Sequence, residues 1–381
     1  MTIYLAFFQA LKKHNIPAYS FWEYYIKNGI EEAGHHWVES KVDWAELHTY
    51  ASTEKESIEQ WKANTWQVVL DDIRKHQSET PIDIFLSYFY PNHIDELAIK
   101  EIQKLGIKCV NFFCDNIRDF TKIPNEFKIF DLNWVPEYKA LKMYKQANMP
   151  FIHLPMPMWV NQGLRQISTA ENNQVSFIGS KDAQRAFLFS ELSKKNITFD
   201  LYGAGWLEGE RSSMPSTKQN VINNQLSFII KNGFIPFFRK INRFGLPKID
   251  ESVLANHLKP KPSFDEYVQI TKQSMVTLGV NRYPSFHYPF LKPNTYSRLR
   301  DIEAPMLGAC YLTEYTEGLE NMYDIGQEIE VYKSVDELVA KIELLSADTN
   351  KRKQIRAKGQ KKALAAHSIV NSINKIKQYF E

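Results

Sequence analysis

Short apolar runs separated by helical stretches recur along the whole 381-residue chain. That alternation restricts it to an α/β fold with a largely parallel sheet. The first series places strands at 3–8, 36–39, 83–88, 108–113 and 131–135, with helices over 21–33, 53–76 and 94–105. In the long second helix, Trp61, Val68, Val69 and Ile73 recur near helical spacing, and Gly106 closes the third. Between 155 and 175 the pattern lapses into prolines and a polar run ending Asn172-Asn173. It then restarts, with strands at 175–178, 198–202, 275–280 and 310–313 and helices over 184–195, 264–273, 299–307, 335–345, 349–366 and 369–379.

The expected organisation is therefore two facing Rossmann-like domains, 1–160 and 175–381, joined by a linker at 161–174 and closed by a C-terminal helix on the second. An insert at about 207–262 interrupts the second domain and is too long for a bare connection. Within it, over 225–245, Phe234, Phe237 and Phe238 alternate with Lys231, Arg239, Lys240 and Arg243, the balance of a segment lying in a membrane interface. Packing onto the second domain or a second subunit is the competing explanation.

Composition excludes several classes. A formal charge of +3 gives no argument for nucleic acid. Cys109, Cys114 and Cys310 have no metal-ligand spacing and read as reduced thiols of a cytoplasmic protein. No apolar run approaches the ~20 residues that span a bilayer. His35-His36 lacks a third ligand, Asp71-Asp72 lies inside a helix, and no G-x-S-x-G, phosphate-binding P-loop or dinucleotide fingerprint is present.

The most informative stretch is NTYSRLRDIEAPMLGACYLTEYTEGLE, residues 294–320. A helix starting near Ser297 would aim backbone N–H groups at an anion, with Arg298 and Arg300 beside it, and Glu303 would reach a ribose diol. A surface helix with Glu303 paired to Arg298 or Arg300 is the alternative. The segment resembles the C-terminal domain of group 1 glycosyltransferases, most closely the spore-maturation-protein-like (CgeB-like) branch. Its R-x-x-E-x-x-x-x-G-A core and following T-E and G-L-E carry the likeness. The likeness extends to VSFIGSKDAQRAFLFSEL, FDLYGAGW, IFLSYFYPN, GIKCVNFFCDNIRDF and FDLNWVPEYKALKMYKQA.

The resemblance implies a GT-B fold and metal-independent transfer, with no cofactor beyond a nucleotide-diphosphosugar donor. It further implies retention of anomeric configuration, a glycan or glycolipid acceptor, and a place in polysaccharide biosynthesis at the inner membrane face. Such enzymes often carry two glutamates spaced E-x7-E. Glu303 matches the second, but Thr295 occupies the first. The diphosphate position falls on Gly179-Ser180-Lys181, where Ser180 replaces an arginine and Lys181 and Arg185 supply the charge. A solvated loop cation is the other explanation of Lys181. Gly203, Asn281, Arg282 and Tyr296 complete the expected donor site. Asp115, after a strand end in the first domain, is the candidate for acceptor contact or general base, with a helix cap as its alternative. Asn92 and His93 end another strand, where a lone histidine is more often structural. Two further functions fit the same scaffold: a nucleotide-sugar epimerase, or a non-catalytic sugar- or partner-binding protein.

Overall fold

The computed structural model describes residues 1–14, 19–51, 54–207, 249–285, 288–290 and 292–381. The chain divides into two compact units, Met1–Trp159 with Ala365–Glu381, and Val160–Leu364.

In the first unit six parallel strands, β1 (Thr2–Ala6), β2 (His36–Val38), β3 (Ile84–Ser87), β4 (Lys108–Phe112), β5 (Leu132–Val135) and β6 (Phe151–His153), form one sheet. Their order is β2-β1-β3-β4-β5-β6. β1, β3 and β5 are buried throughout, as expected of a parallel sheet covered on both faces. Helices α1 (Ser20–Glu32), α2 (Lys55–Glu79), α3 (Glu96–Lys104), α4 (Asn116–Asp119) and α5 (Leu141–Gln146) link the strands. α2 buries Trp61, Thr65, Trp66, Val69, Leu70 and Ile73. Val68 is half-exposed, so the inward stripe runs through Thr65 and Trp66 and leaves out Val68, which the sequence pattern had assigned to it. Asp95 caps α3 by accepting from Leu97 N and Ala98 N, and Gly106 ends that turn at φ +85°.

The second unit repeats the plan with β7 (Val175–Ile178), β8 (Asp200–Tyr202), β9 (Val276–Gly279), β10 (Tyr311–Glu314) and β11 (Glu330–Tyr332). These parallel strands run β11-β10-β9-β7-β8. Its helices are α6 (Ala183–Ser193), α7 (Phe264–Gln273), α8 (Arg300–Met306), α9 (Leu319–Met322), α10 (Val335–Ala347) and α11 (Thr349–Ala366). Asp182 caps α6, and a Ser263/Glu266 capping box starts α7. Phe177, Phe189, Leu201, Val276, Leu312 and Leu338 belong to the core between sheet and helices.

Two boundaries differ from the sequence expectation. The stretch read as a linker is tied into the second unit: Glu171 pairs with Arg352 (2.6 Å) and Arg356 (3.2 Å), and Lys272 Nζ donates to Leu164 O (2.8 Å). The last helix, α12 (Ile369–Phe380), belongs to the first unit and does not close the second. It buries Ile369, Ile373 and Ile376. Ile369 lies so close to α1 that a Cβ on Gly29 would stand 2.0 Å from its Cγ2. The 225–245 stretch lies outside the described residues, and no helix among those described is long and apolar enough to cross a membrane.

Candidate active site

In open parallel sheets, ligands gather beyond the carboxyl ends of the strands where the chain reverses its winding direction. In the second unit that point lies between β7 and β9, because β8 was added on one side of β7 and β9 on the other. The sequence places Gly179-Ser180-Lys181 after β7 and Asn281-Arg282 after β9, so both groups arrive at this edge.

The β7 turn is shaped by close backbone approach. Gly203 sits at φ +126°, and a Cβ there would lie 2.4 Å from Gly179 O. Gly179 N donates to Tyr202 O (2.9 Å) and Trp206 Nε1 to Gly179 O (2.7 Å). Gly203 thus serves packing between the ends of β7 and β8. Ser180 is exposed, and its carbonyl accepts from Arg185 Nη1 (2.6 Å). Lys181 reaches the half-exposed Glu251 (2.6 Å).

Arginines converge on this edge. Arg300 Nη2 donates to Ile178 O (2.9 Å), at the end of β7, while Arg298 Nη2 donates to Arg282 O (2.7 Å), after β9. Arg298 also lies over the Tyr296 ring (4.5 Å), and Arg185 over Phe177 (5.5 Å). Burial pushes the Arg185 guanidinium down to about 10, and the positive charge of Arg298 adds to the fall, followed by that of Arg300, against the opposing pull of Asp182. Asp182, 3.3 Å from Arg185 Nε, is the carboxylate paired with this guanidinium.

Two donor-site candidates have a different part. The Arg282 guanidinium grips Glu314 through Nε (3.0 and 3.1 Å) and Nη2, and Glu314 also accepts from the N–H groups of Asn281 (3.1 Å) and Arg282 (3.0 Å). Asn281 is buried, and its amide donates to Asp301 (2.9 Å), Thr313 (3.2 Å) and Glu314 O (2.9 Å). Both residues shape the edge from within. So does Asp301, which the sequence reading passed over. Fully buried, it accepts from Asn281, Ser297 Oγ (2.9 Å), Arg298 N (3.1 Å), Tyr311 OH (2.8 Å) and Thr313 Oγ1 (2.9 Å). Burial raises its carboxyl above the ordinary range.

Asp301 also changes the expectation for the helix start. α8 begins at Arg300, one residue after the start of the 299–307 pattern and three after the Ser297 start expected for anion binding, and the Arg298 N–H is already held by Asp301. That N–H is therefore not open to a ligand, while the arginine side chains lie beside it. Glu303 lies in the first turn of α8 and accepts a hydrogen bond from Tyr267, whose ring lies 4.6 Å below Arg300. Tyr267, from α7, is a second residue without an obvious sequence signal. Tyr296 N donates to Asn281 O (3.0 Å), which keeps the 295–298 stretch against the β9 end.

The corresponding edge of the first unit is acidic and aromatic. Asp115 occupies the N-cap position of α4 and makes no cap hydrogen bond; its carboxylate pairs with Arg118 (2.8 Å). Beside it, Glu137 accepts from Asn116 N (2.6 Å) and Ile117 N (3.4 Å). Burial drives the Glu137 carboxyl up to about 8, the Asn116 hydrogen bond opposing and the charge of Asp115 adding to the rise. His93 is structural: Tyr90 N donates to Nδ1 (3.2 Å), which leaves Nε2 to donate to Trp44 O (2.9 Å). Burial holds it neutral, with a pKa near about 3. Asn92 is exposed. No three His, Cys, Asp or Glu side chains gather as a metal site among the described residues.

This architecture is the GT-B fold: two Rossmann-like parallel-sheet units. The whole chain superposes on sucrose-phosphate synthase from Thermosynechococcus elongatus at TM-score 0.56 and 10% identity, covering 100% of this chain and 98% of that one. It superposes equally on Anabaena HepE in complex with UDP and glucose, at TM-score 0.56 and 14% identity over 100% of both chains. A glycosyltransferase from Rickettsia africae aligns at TM-score 0.56 and 12% identity, over 99% and 97%. Residues 237–378 match the glycosyl transferase-like family model, while no curated protein matches the sequence. The chain thus has the GT-B fold, and its C-terminal stretch is similar to glycosyl transferases.

Proposed function

We propose that the protein transfers a sugar from a nucleotide-diphosphosugar to a glycan or lipid-linked acceptor, within the spore-maturation-protein-like branch. The arginine cluster at the β7/β9 edge carries this reading, because Arg185 is depressed by burial and by neighbouring arginines that a diphosphate would neutralise. Arg185, Arg298 and Lys181 hold the diphosphate, and Glu303 with Tyr267 takes the ribose. The UDP bound by the Anabaena structure supports a uridine diphosphate donor.

In the reaction the bond between the anomeric carbon and the β-phosphate oxygen breaks, and an acceptor hydroxyl oxygen bonds that carbon. The hydroxyl proton passes to a base, for which Asp115 is the candidate, or to the departing phosphate. The cations stabilise the negative charge that develops on the leaving group without a metal ion. Retention of configuration and a role in polysaccharide synthesis follow from the resemblance alone, and a cytoplasmic location from the three cysteines read as reduced thiols. Residues 225–245 are the candidate contact with a membrane surface, checked by co-sedimentation with anionic and neutral vesicles.

Calorimetry with UDP and uridine, together with release of UDP from UDP-hexoses, tests the donor reading. Binding of UDP well above uridine, falling as salt is raised, is expected. Equal binding of the two, or none, overturns it.

A further inference from the structure

Two cavities open in the first unit, both outside the donor edge. One, of about 480 Å³, lies where β3 and β4 end and is lined by His48, Tyr50, Tyr90, Asn92, Arg118 and Asp119. The other, of about 630 Å³, is lined by Glu46, Tyr50, Glu56, Gln60, Trp61 and Asn64. Each falls within the size range of a small-molecule site. Tyr50 is a wall of both, so they are neighbours along one groove.

The lining has a consistent chemistry. Tyr50 and Tyr90, both partly exposed, offer aromatic surface to the C–H faces of a sugar ring, with the buried Trp61 as floor. Asn92, Gln60 and Asn64 each present both donors and an acceptor, the pairing that vicinal hydroxyls require. Glu56, Gln60 and Asn64 stand on successive turns of α2, a row about 12 Å long at 1.5 Å per residue. Gln60 Nε2 donates to Asn64 Oδ1 (2.9 Å), which aligns the two amides.

Charge narrows the ligand further. Three carboxylates border the groove, Glu46, Glu56 and Asp119, against one cation, Arg118. Arg118 is already held between Asp115 (2.8 Å) and Asp119 (3.1 Å). Lys12 is likewise held by Glu46 (2.9 Å). A uronic, sulfated or phosphorylated chain would meet carboxylates and, among the described lining residues, only a cation already paired with them.

We infer that this groove binds an uncharged glycan of at least two sugar units, one end near Tyr90 and Asp119 and the other along α2. The inference rests on the sugar-transfer reading only in making that glycan the acceptor; the groove's selectivity is independent of the donor.

A glycan array printed with neutral and acidic mono-, di- and trisaccharides tests it on the full chain, with UDP binding followed in parallel by thermal shift. Binding of neutral di- and trisaccharides above monosaccharides is expected. Gln60→Ala/Asn64→Ala, two exposed positions, should weaken it about tenfold or more while leaving the UDP shift unchanged. Tyr50→Ala should remove binding at both cavities. No glycan binding, equal binding of monosaccharides, preference for acidic glycans, or a double variant that binds like wild type overturns the inference. Loss of the UDP shift in wild type strikes the donor reading instead.

Discussion

The two sheets end in opposite chemistry. Beyond β7 and β9 stand Arg185, Arg298 and Arg300, packed on aromatic rings and backbone carbonyls, and Lys181, paired with Glu251. Beyond β3, β4 and β5 stand Tyr90, Asp115, Asp119 and Glu137. The strand plan is nearly the same, so the difference is not one of fold. It lies in which side chains the sequence places just after each strand, and a parallel sheet delivers all of them to one edge. Under the proposed function the first of these edges takes the donor diphosphate and the second the acceptor.

The largest expected effect comes from removing the hub of the basic edge. Asp301→Ala would strand the buried hydroxyls of Tyr311 and Thr313, while the Asn281 amide keeps Glu314 O and Thr313 Oγ1. Each orphan costs about 1–3 kcal/mol, so denaturation should show a loss of at least about 2 kcal/mol. A stability within 1 kcal/mol of wild type, roughly the worth of one ordinary hydrogen bond, would mean the network is dispensable. On the acidic edge, Asp115→Asn should slow transfer by about 10²-fold or more, with UDP affinity within about twofold. If both fall together, Asp115 orders the fold and the edges are not separable in function.

The phosphate side is tested next. Arg298→Ala and Arg185→Ala should each weaken UDP about tenfold or more, with uridine unchanged, since charge-assisted bonds to the diphosphate are lost. Glu303→Gln should weaken UDP and uridine alike by about tenfold, because it acts on the ribose. Calorimetry that shows the reverse pattern would exchange their roles.

Much of this comparison was legible in the sequence, because strand ends are marked by the change from apolar runs to polar residues. Asn281, Arg282 and Asp115 could be placed at strand ends on that basis, while Gly179, Lys181 and Arg185 came with the family resemblance. What each does there could not be read, since partners come from distant positions. Arg282 is taken by Glu314, 32 residues on, and Glu303 meets Tyr267 from the preceding helix. The late start of α8 follows from Asp301, whose burial no local pattern announces. β6 and β11 were missed, although β2 and β8, equally three residues long, were placed. The last helix was misassigned because sequence order suggests adjacency, whereas its Ile369, Ile373 and Ile376 face is buried in the first unit, with Ile369 against Gly29.

The smallest effect sharpens the comparison through pH. In the unfolded chain Glu137 would titrate near its ordinary value of 4.5, but burial lifts it to about 8 in the folded protein. Between pH 6.5 and 8 the folded state therefore keeps a proton that the unfolded chain has lost. Stability should fall as pH rises through that window, by at most about 1.4 kcal/mol per pH unit. Below 6.5 the opposite limb appears. His93 stays neutral when folded, held down to about 3 by burial, and His35, His48 and His153 are lowered in the same direction. Unfolded histidines take up protons there, so acid favours unfolding, against the continuing pull of Glu137. All these groups lie in the first unit, and seven of the eight tryptophans, all but Trp206, lie there too. Urea denaturation followed by tryptophan fluorescence at pH 5, 6.5 and 8 thus reports mainly on this unit. Wild type should be most stable near pH 6.5, and Glu137→Gln should flatten the alkaline limb while keeping the acid one. A wild-type curve already flat from 6.5 to 8 would mean that Glu137 is ionised in the folded state, its charge borne by the Asn116 and Ile117 N–H groups.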